Sequence, residues 1–328
     1  MPEVVTFGEA MLRLAPPGFR RLEQARTLEV EAGGAELNAA AGLAGLGRAA
    51  AWVSRLPANP LGRLIAARAR ERGVSDAFVQ FAADERCGLY FCEFGAAPRA
   101  GEVLYDRAGS AAAGIAPGMF DWRAIFVGAR WFHVTGITPA LSPSAAAATA
   151  EAVAAARAAG VRVSFDLNYR RKLWTPADAG RTLGELIRGV DLLFASEGDA
   201  AALFGISGDG FAAVAEQLAA RFGVTTVAAL RRGSSAFAWR ESLAGVAWQA
   251  GRVVETAARE IEVVDRLGAG DLFAAGMIHG LLDGDLAKGV AWGAALAALQ
   301  HTAPGDLPCW TTTDVESVLA DEGTRLRR

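Results

Sequence analysis

Residues 142–165 read SPSAAAATAEAVAAARAAGVRVSF, and this stretch decides the fold class. Its initial serine-proline pair is typical of the first turn of a helix, the alanine-rich run to Arg157 favours that helix, and Gly160 predicts its end. The apolar residues within 161–165 then predict a strand. A strand directly after a helix of this length is typical of a parallel βαβ unit.

The same alternation continues on both sides of this unit. Short apolar runs predict further strands at residues 131–137, 190–195 and 225–230, so the predicted fold class is α/β with a parallel sheet. Ligands bind at the carboxyl ends of the strands in such sheets. Polar groups follow each predicted strand there, and we expect the functional site among them: Thr138, residues 166–171, Ser196 with Glu197, and Arg231 to Gly233.

Two segments, residues 10–32 and 86–108, break this pattern. Polar and apolar residues alternate in them with a period of two and without a helical period, which predicts antiparallel strands. Because the segments are alike in pattern, we expect them to pair into one small sheet that covers the strand ends as a lid.

The composition excludes several classes of protein. The 328 residues are 52% hydrophobic with a formal net charge of -3, which fits a globular protein and gives no electrostatic footprint for nucleic acid or an anionic membrane. The sequence contains no run of 18 uncharged apolar residues, so it predicts no membrane span, and its acidic start does not resemble a signal peptide. Three dispersed cysteines and three dispersed histidines predict neither disulfides nor zinc. We therefore expect a cytoplasmic protein whose partners are small molecules or its own copies.

Residues 265–273, DRLGAGDLF, form the sharpest local motif. Gly268 and Gly270 allow a tight turn where a nearly all-apolar helix begins, and free N–H groups at a helix start bind phosphate. A simpler interpretation makes Asp271 only a helix cap. The segment lacks both the P-loop pattern and GxGxxG.

Two further motifs contain polar groups suited to binding. Residues 31–40, EAGGAELNAA, place a glycine pair before a helix on which Asn38 could bind a hydroxyl group; the alternative is a plain loop and a solvated Asn38. Residues 165–174, FDLNYRRKLW, end a strand with arginines whose planar guanidinium suits a carboxylate or phosphate. The alternative there is a surface ion pair from Asp166 to Arg170 or Arg171.

Together these motifs resemble the ribokinase-like (PfkB) carbohydrate kinases, and within them the 2-keto-3-deoxygluconate kinases. The two family signatures lie at residues 33–38 and 265–271, and the resemblance covers essentially the whole chain. Shorter stretches similar to the ketodeoxygluconate branch are FGEAMLRL (7–14), YDRAGSA (105–111), DLNYR (166–170) and QHTAPGD (300–306).

The resemblance implies a three-layer α/β/α body with a small β-sheet lid. The body would comprise residues 1–9, 33–85 and 109–328, and the lid residues 10–32 and 86–108. It also implies ATP and Mg²⁺, a monovalent cation in some members, and a homo-oligomer formed through the lid. The implied reaction is phosphorylation of the C6 hydroxyl of 2-keto-3-deoxygluconate.

The resemblance also assigns roles to single residues. It implies that Asp271 is the catalytic base and that the backbone of Gly268, Ala269 and Gly270 is the anion hole. Sugar-binding positions would be Gly34, Asn38, Tyr90, Tyr105, Arg107 and Arg170, with the two arginines on the substrate's carboxylate. Nucleotide-binding positions would be Ser196 and Gly233, with Asp199 near Mg²⁺, and Arg266 stands where the family commonly has Thr.

Three alternatives remain open on the sequence alone. The first is a kinase for another sugar, such as fructose, ribose or 2-keto-3-deoxygalactonate; the arginine pair favours an acid over a neutral sugar. The second is a catalytically silent binding protein, which Asp271 and its glycine turn argue against. The third is an NAD-dependent dehydrogenase, which the missing early GxGxxG argues against.

Overall fold

The computed structural model describes residues 1–233 and 239–321. Within them lie fourteen strands: β1 Val4–Phe7, β2 Met11–Ala15, β3 Glu29–Gly33, β4 Ala50–Pro57, β5 Ser75–Ala82, β6 Leu89–Glu93, β7 Glu102–Asp106, β8 Trp131–Thr135, β9 Arg162–Asp166, β10 Leu192–Phe194, β11 Thr226–Gly233, β12 Arg240–Gln249, β13 Arg252–Glu255 and β14 Arg259–Glu262. The helices among the same residues are α1 Ala35–Gly45, α2 Pro60–Glu71, α3 Trp122–Ile125, α4 Ile137–Ala140, α5 Pro143–Ala158, α6 Pro176–Leu186, α7 Glu197–Phe204, α8 Gly210–Phe222, α9 Ala269–Leu282, α10 Leu286–Gln300 and α11 Thr312–Leu319.

Ten strands form the central sheet. Its order is β13-β12-β11-β10-β9-β8-β1-β4-β5, and β14 also pairs with β12. The strands from β11 to β5 are parallel to their neighbours, whereas β12 to β14 are antiparallel additions at one edge. The carboxyl ends of the parallel strands therefore meet at one edge, which is where a ligand site is expected.

Helices cover both faces of this sheet, because successive residues of its strands point to opposite sides. On β1, Val5 and Phe7 belong to one buried cluster and Val4 to the other. The first cluster includes residues of α5 and α8, and the second includes residues of α1, α9 and α10. The chain is thus a three-layer α/β/α structure, as the resemblance implied. No helix in the described ranges is long and apolar enough to cross a membrane.

The predicted helix and strand around Gly160 are confirmed. Ser142 caps α5 by accepting a hydrogen bond from the N–H of Ala145 at 3.1 Å, and Gly160 follows the helix with a φ of 70°. The predicted strand at 131–137 is wrong at its end, because β8 stops at Thr135. The Thr135 N–H donates to the buried Glu36 instead, and the chain turns into the short helix α4.

The predicted strands at 190–195 and 225–230 are confirmed as β10 and β11, with different ends. β10 is shorter, and β11 continues to Gly233 because Arg231, Arg232 and Gly233 pair with residues of β12. These residues therefore lie within a strand. Residues 234–238, which follow Gly233, lie outside the described part of the chain.

The segments 10–32 and 86–108 together form a second sheet, which we call the small sheet. Its order is β3-β2-β6-β7, with β2 and β6 parallel and the two outer pairs antiparallel. The Lys172 ammonium donates to the Val103 carbonyl at 3.0 Å, so β7 lies beside the loop that follows β9. The small sheet thus approaches the carboxyl-end edge of the central sheet.

Candidate active site

The first turn of α9 provides unpaired backbone donors at this edge. Gly268 is its N-cap residue with a φ of 83°, and the first helical bond runs from the Leu272 N–H to the Gly268 carbonyl at 2.9 Å. The N–H groups of Ala269, Gly270 and Asp271 have no acceptor within residues 1–233 and 239–321. A Cβ built on Gly270 meets no atom within 4 Å, so a ligand can approach this backbone. The turn can therefore bind an anion.

The Asp271 carboxylate lies beside these donors and faces α1. It is the third residue of α9, so the interpretation of Asp271 as the helix cap is wrong: Gly268 occupies the cap position. One carboxylate oxygen accepts a hydrogen bond from the Asn38 side-chain amide at 2.8 Å. Asn38 is 2% exposed and its own oxygen accepts from the Gly34 N–H at 3.4 Å, which orients the amide. The two glycine motifs, 233 residues apart, thus meet at one carboxylate.

Three carboxyl groups at this edge have raised pKa values. Burial raises the pKa of Asp271 well above its usual range, and the nearby Asp166 and Glu36 carboxyls raise it further. Burial likewise raises the pKa of Asp166 to about 7 and that of Glu36 to about 7. The positive charge of Arg170 lowers the pKa of both Asp166 and Asp271, so these groups lie near one another. Such perturbed carboxyls are typical of catalytic sites.

Glu36 is a part of this site that the sequence analysis missed. It is completely buried, and one of its oxygens accepts hydrogen bonds from the Thr135 N–H, the Thr135 hydroxyl and the Thr138 hydroxyl at 2.7–3.0 Å. A Cβ on Gly8 would lie 2.1 Å from the Glu36 carboxyl, so only glycine leaves room for it. The signal in the sequence was a charged residue between the apolar residues Ala35 and Leu37 at the start of a helix.

Arg170 is exposed and makes no ion pair with a carboxylate in the described part of the chain. The predicted alternative of a surface pair with Asp166 is therefore not formed, and neither is one between Asp166 and Arg171. The Asp166 carboxylate instead accepts from the N–H of Asn168 at 2.9 Å. An unpaired guanidinium beside Asp271 can bind an anionic group of a ligand.

Arg107, unlike Arg170, is buried and already has an ion-pair partner. It is 8% exposed, and its guanidinium donates to the buried carboxylate of Glu9, whose second oxygen accepts from the Ser110 hydroxyl at 2.7 Å. The guanidinium also lies 5.5 Å from the centre of the Tyr105 ring. The two arginines that the sequence analysis treated as equivalent therefore differ, because one already has a carboxylate partner.

The two tyrosines lie together on the small sheet. Tyr90 on β6 stacks on Tyr105 on β7 with ring centres 5.8 Å apart, and its hydroxyl donates to the Asp306 carboxylate. Tyr105 is 36% exposed, and Lys172 lies 5.9 Å from its ring centre. Tyr90 is thus bound within the protein, whereas Tyr105 presents part of its ring to solvent.

Ser196 and Gly233, the residues predicted for the nucleotide side, lie at the ends of β10 and β11. The Ser196 hydroxyl and the Asp199 carboxylate bind each other at 2.6 Å and cap α7. Arg266 makes an ion pair with Glu241 on β12. A cavity of about 770 Å³ lies between β14, α10 and α11, and its walls combine apolar side chains such as Ile261, Leu299 and Val318 with charged ones such as Arg240 and Arg259. No group of three or more metal-ligating side chains forms in the described ranges.

Comparison with known proteins identifies the family. The family model described as pfkB family carbohydrate kinase matches residues 1–313. The chain belongs to this family. It is therefore a carbohydrate kinase, an enzyme that transfers a phosphoryl group to a sugar.

Individual relatives in the pfkB family cover nearly the whole chain. A 2-dehydro-3-deoxygalactonokinase of Haloferax volcanii is 40% identical over 97% of this chain and 96% of its own length. A 2-dehydro-3-deoxygluconokinase of Bacillus subtilis is 32% identical over 93% and 91%. The crystal structure of a 2-dehydro-3-deoxygluconokinase from Thermotoga maritima, 38% identical, superimposes with a TM-score of 0.93 over 98% of this chain and 100% of that one.

We predict that Asp271→Asn lowers kcat by roughly 10²- to 10⁴-fold, because it removes a proton acceptor without changing the shape of the side chain. ATP binding and the melting temperature should stay near those of the wild type. The matched control is Asp285→Asn, since the Asp285 carboxylate only caps α10 and asparagine caps a helix equally well. Near-normal turnover in Asp271→Asn would exclude Asp271 as the base.

The acidic limb of the pH profile should report the same group. A proton acceptor must be deprotonated, so kcat/KM should fall as the pH drops through the raised pKa of Asp271. The Asn38 hydrogen bond lowers that pKa because it stabilises the charged form. Asn38→Ala should therefore move the limb to higher pH. A limb that does not move would mean that another group titrates.

Proposed function

We propose that this pfkB-family kinase transfers the γ-phosphoryl group of ATP to the C6 hydroxyl of a 2-keto-3-deoxy sugar acid, 2-dehydro-3-deoxygluconate. The observation that carries the proposal is Arg170, a guanidinium without an ion-pair partner among the described residues and close enough to Asp271 to lower its pKa. An acid has a carboxylate to occupy such a group, whereas a neutral ketose has none. The relatives with names of this kind, at 32–40% identity, support the same class.

The 2-dehydro-3-deoxygalactonate epimer is the second candidate substrate. The relative at 40% identity carries the galactonokinase name, whereas two others carry the gluconokinase name. A fructokinase or ribokinase activity is a third alternative, and the free guanidinium of Arg170 argues against it.

The sugar is proposed to lie between the small sheet and the body. Asn38 and the Gly34 backbone would face its hydroxyl groups from α1, and Tyr90 with Tyr105 would cover it from β6 and β7. A Cβ on Gly34 would lie 2.1 Å from the Glu9 carbonyl oxygen, so glycine is required for this backbone to pack as it does. Closure of segments 10–32 and 86–108 over the body, 1–9, 33–85 and 109–328, would exclude water and suppress ATP hydrolysis.

Asp271 would accept the proton of the attacking hydroxyl, because its carboxylate lies at the anion-binding turn and burial raises its pKa well above the usual range, which makes it a stronger base. The N–H groups of Ala269 and Gly270 would stabilise the negative charge of the transferring phosphoryl group. These are the residues of the chain that would act on the reacting atoms. The Gly268 left-handed conformation sets the direction of both donors.

The nucleotide is proposed to lie on the body side of the turn. Its phosphates would reach Gly268 and Gly270, and its purine would fill the cavity of about 770 Å³ between β14, α10 and α11, with Ser196 and Gly233 near the ribose and phosphates. Mg²⁺, bound to ATP when present, neutralises phosphate charge. The pKa of the Asp166 carboxyl is raised, and the negative charge of Asp199 contributes to that rise. A cation held by these two carboxylates through water would offset their mutual repulsion, so the pair fits such a site.

Two further parts of the proposal concern assembly and location. The small sheet carries an apolar groove of about 590 Å³ lined by Leu28, Phe91 and Leu104, with Leu104 55% exposed, and we propose that copies of the chain associate there. A cytoplasmic location is proposed because all three cysteines are free thiols and ATP is abundant there.

A substrate panel tests the proposed function directly. We expect ATP-dependent phosphorylation of 2-dehydro-3-deoxygluconate with a kcat/KM at least about tenfold above that of fructose, ribose and gluconate. The galacto epimer is measured alongside, and assays with and without K⁺ test the monovalent cation. Phosphate on C6, located by NMR, is the expected product. Preference for a neutral sugar would overturn the proposal and leave the kinase assignment standing.

Arg170→Ala should raise the KM for the sugar acid by about 10- to 150-fold, because a charge-assisted hydrogen bond contributes about 1.5–3 kcal/mol. The KM for ATP and turnover of a neutral ketose should change little. Arg171→Ala is the matched control, since Arg171 is the exposed neighbour.

Arg107→Ala should also weaken binding of the acid. It should in addition lower the melting temperature, because it leaves the Glu9 carboxylate, 1% exposed, without its cation. Equal losses for acid and ketose in Arg170→Ala would remove the specificity claim.

A further inference from the structure

Arg13 joins the small sheet to the body through a buried ionic cluster. It lies in β2, is 3% exposed, and donates from one guanidinium nitrogen to Asp265 and to Asp306, each at 2.7 Å. Tyr90 on β6 donates its hydroxyl to the other oxygen of Asp306. Two strands of the small sheet therefore bind the same pair of body carboxylates. The sequence analysis gave no role to Arg13, Asp265 or Asp306.

The same carboxylates determine the path of the anion-binding turn. Asp265 accepts from the Leu267 N–H at 3.0 Å and from the Gly305 N–H at 3.1 Å, so it fixes the backbone directly before Gly268. A Cβ on Gly268 would lie 2.9 Å from the Asp306 carbonyl oxygen, so the turn packs on the backbone of Asp306 as well. A shift of either acid would therefore move the donors that follow Gly268.

Electrostatics makes the position of both acids depend on Arg13. Two buried carboxylates share one guanidinium, and burial raises the pKa of Asp306 to about 6 while the charge of Arg13 lowers it. Removing one partner of a buried ion pair leaves an uncompensated charge, which is strongly unfavourable. Without Arg13 the two carboxylates would repel each other or take up a proton, and either change alters the bonds that fix the turn.

We propose that Arg13 is a positioning residue for phosphoryl transfer, which couples the seating of the small sheet to the geometry of the anion-binding turn. The N–H groups of Ala269 and Gly270 are then aimed at the phosphoryl group only while the small sheet is seated on the body. The coupling would favour transfer to a bound sugar over transfer to water. This inference rests on the proposed function for the identity of the reaction.

The test compares Arg13→Met with Arg21→Met, which removes the same charge from an exposed position of the same segment, where Arg21 pairs with Glu23. In Arg13→Met, kcat for the sugar should fall about 10- to 100-fold, the range of a misplaced catalytic group, while the KM for the sugar changes less. ATP hydrolysed per sugar phosphorylated should rise. Without ligand, the amides of residues 265–271 should be less protected from hydrogen exchange than in the wild type. When ATP is added, their protection should increase by less than it does in the wild type. Arg21→Met should match the wild type in all these measurements.

Arg13→Lys keeps the charge and should recover part of the lost kcat. If Arg13→Met does not fold, Arg13→Lys and Asp306→Asn are measured in the same assays, and both should raise hydrolysis relative to transfer. A variant with a lower melting temperature but an unchanged kcat and hydrolysis ratio would overturn the proposal, because Arg13 would then only stabilise the fold. Failure of the proposed function would be seen differently, because the wild type would then phosphorylate no sugar acid. The hydrogen-exchange protection that ATP induces in residues 265–271 would still differ between Arg13→Met and the wild type, and would test the role of Arg13 independently.

Discussion

The contact between Gly268 and the backbone of Asp306 is the constraint on which the site depends. Residue 268 needs a positive φ and has no space for a Cβ, because the Asp306 carbonyl lies 2.9 Å from where that atom would be. Gln300 completes the contact, since its side-chain amide donates to the Gly305 carbonyl at 2.7 Å. The start of α9, its free N–H groups and the direction of Asp271 all follow from this one turn. A helix that began a residue earlier or later would direct the carboxylate elsewhere.

Charge is the second constraint, because one buried and two half-buried acids lie close together at the strand ends. Glu36, Asp166 and Asp271 have pKa values raised by burial, and each therefore resists ionisation more than a carboxyl group in water. Arg170 offsets part of this cost for two of them from a position that remains exposed. In the proposed reaction Asp271 would accept the proton of the sugar hydroxyl, and Asp166 would help to hold ATP-bound Mg²⁺ through water.

The sequence predicts the parts of the fold that depend on local pattern, and it fails where distant side chains decide. The helix before Gly160, the strand after it and the glycine turn before α9 follow from residues that are neighbours in the chain. The end of β8 at Thr135 does not, because its N–H is taken by Glu36, 99 residues away. Arg107 and Glu9 are 98 residues apart and pair across the fold, so nothing local shows that this arginine is already occupied. The same holds for Arg13, whose partners lie 252 and 293 residues away.

The difference between the two arginines bears on how a sugar acid would be distinguished from its epimer. A guanidinium recognises the carboxylate, which the gluco and galacto acids share, so Arg170 can favour acids over neutral sugars but contributes equally to both epimers. The epimers differ in the direction of one hydroxyl group, and a site discriminates such a difference by neutral hydrogen-bonding groups that are left unpaired by the wrong isomer. Asn38 has both amide ends engaged, with Asp271 and Gly34. The Gly34 backbone is engaged as well, because its N–H donates to the Asn38 side chain and its carbonyl accepts from the Asn38 N–H. The exposed part of Tyr105 therefore remains the better site for epimer preference.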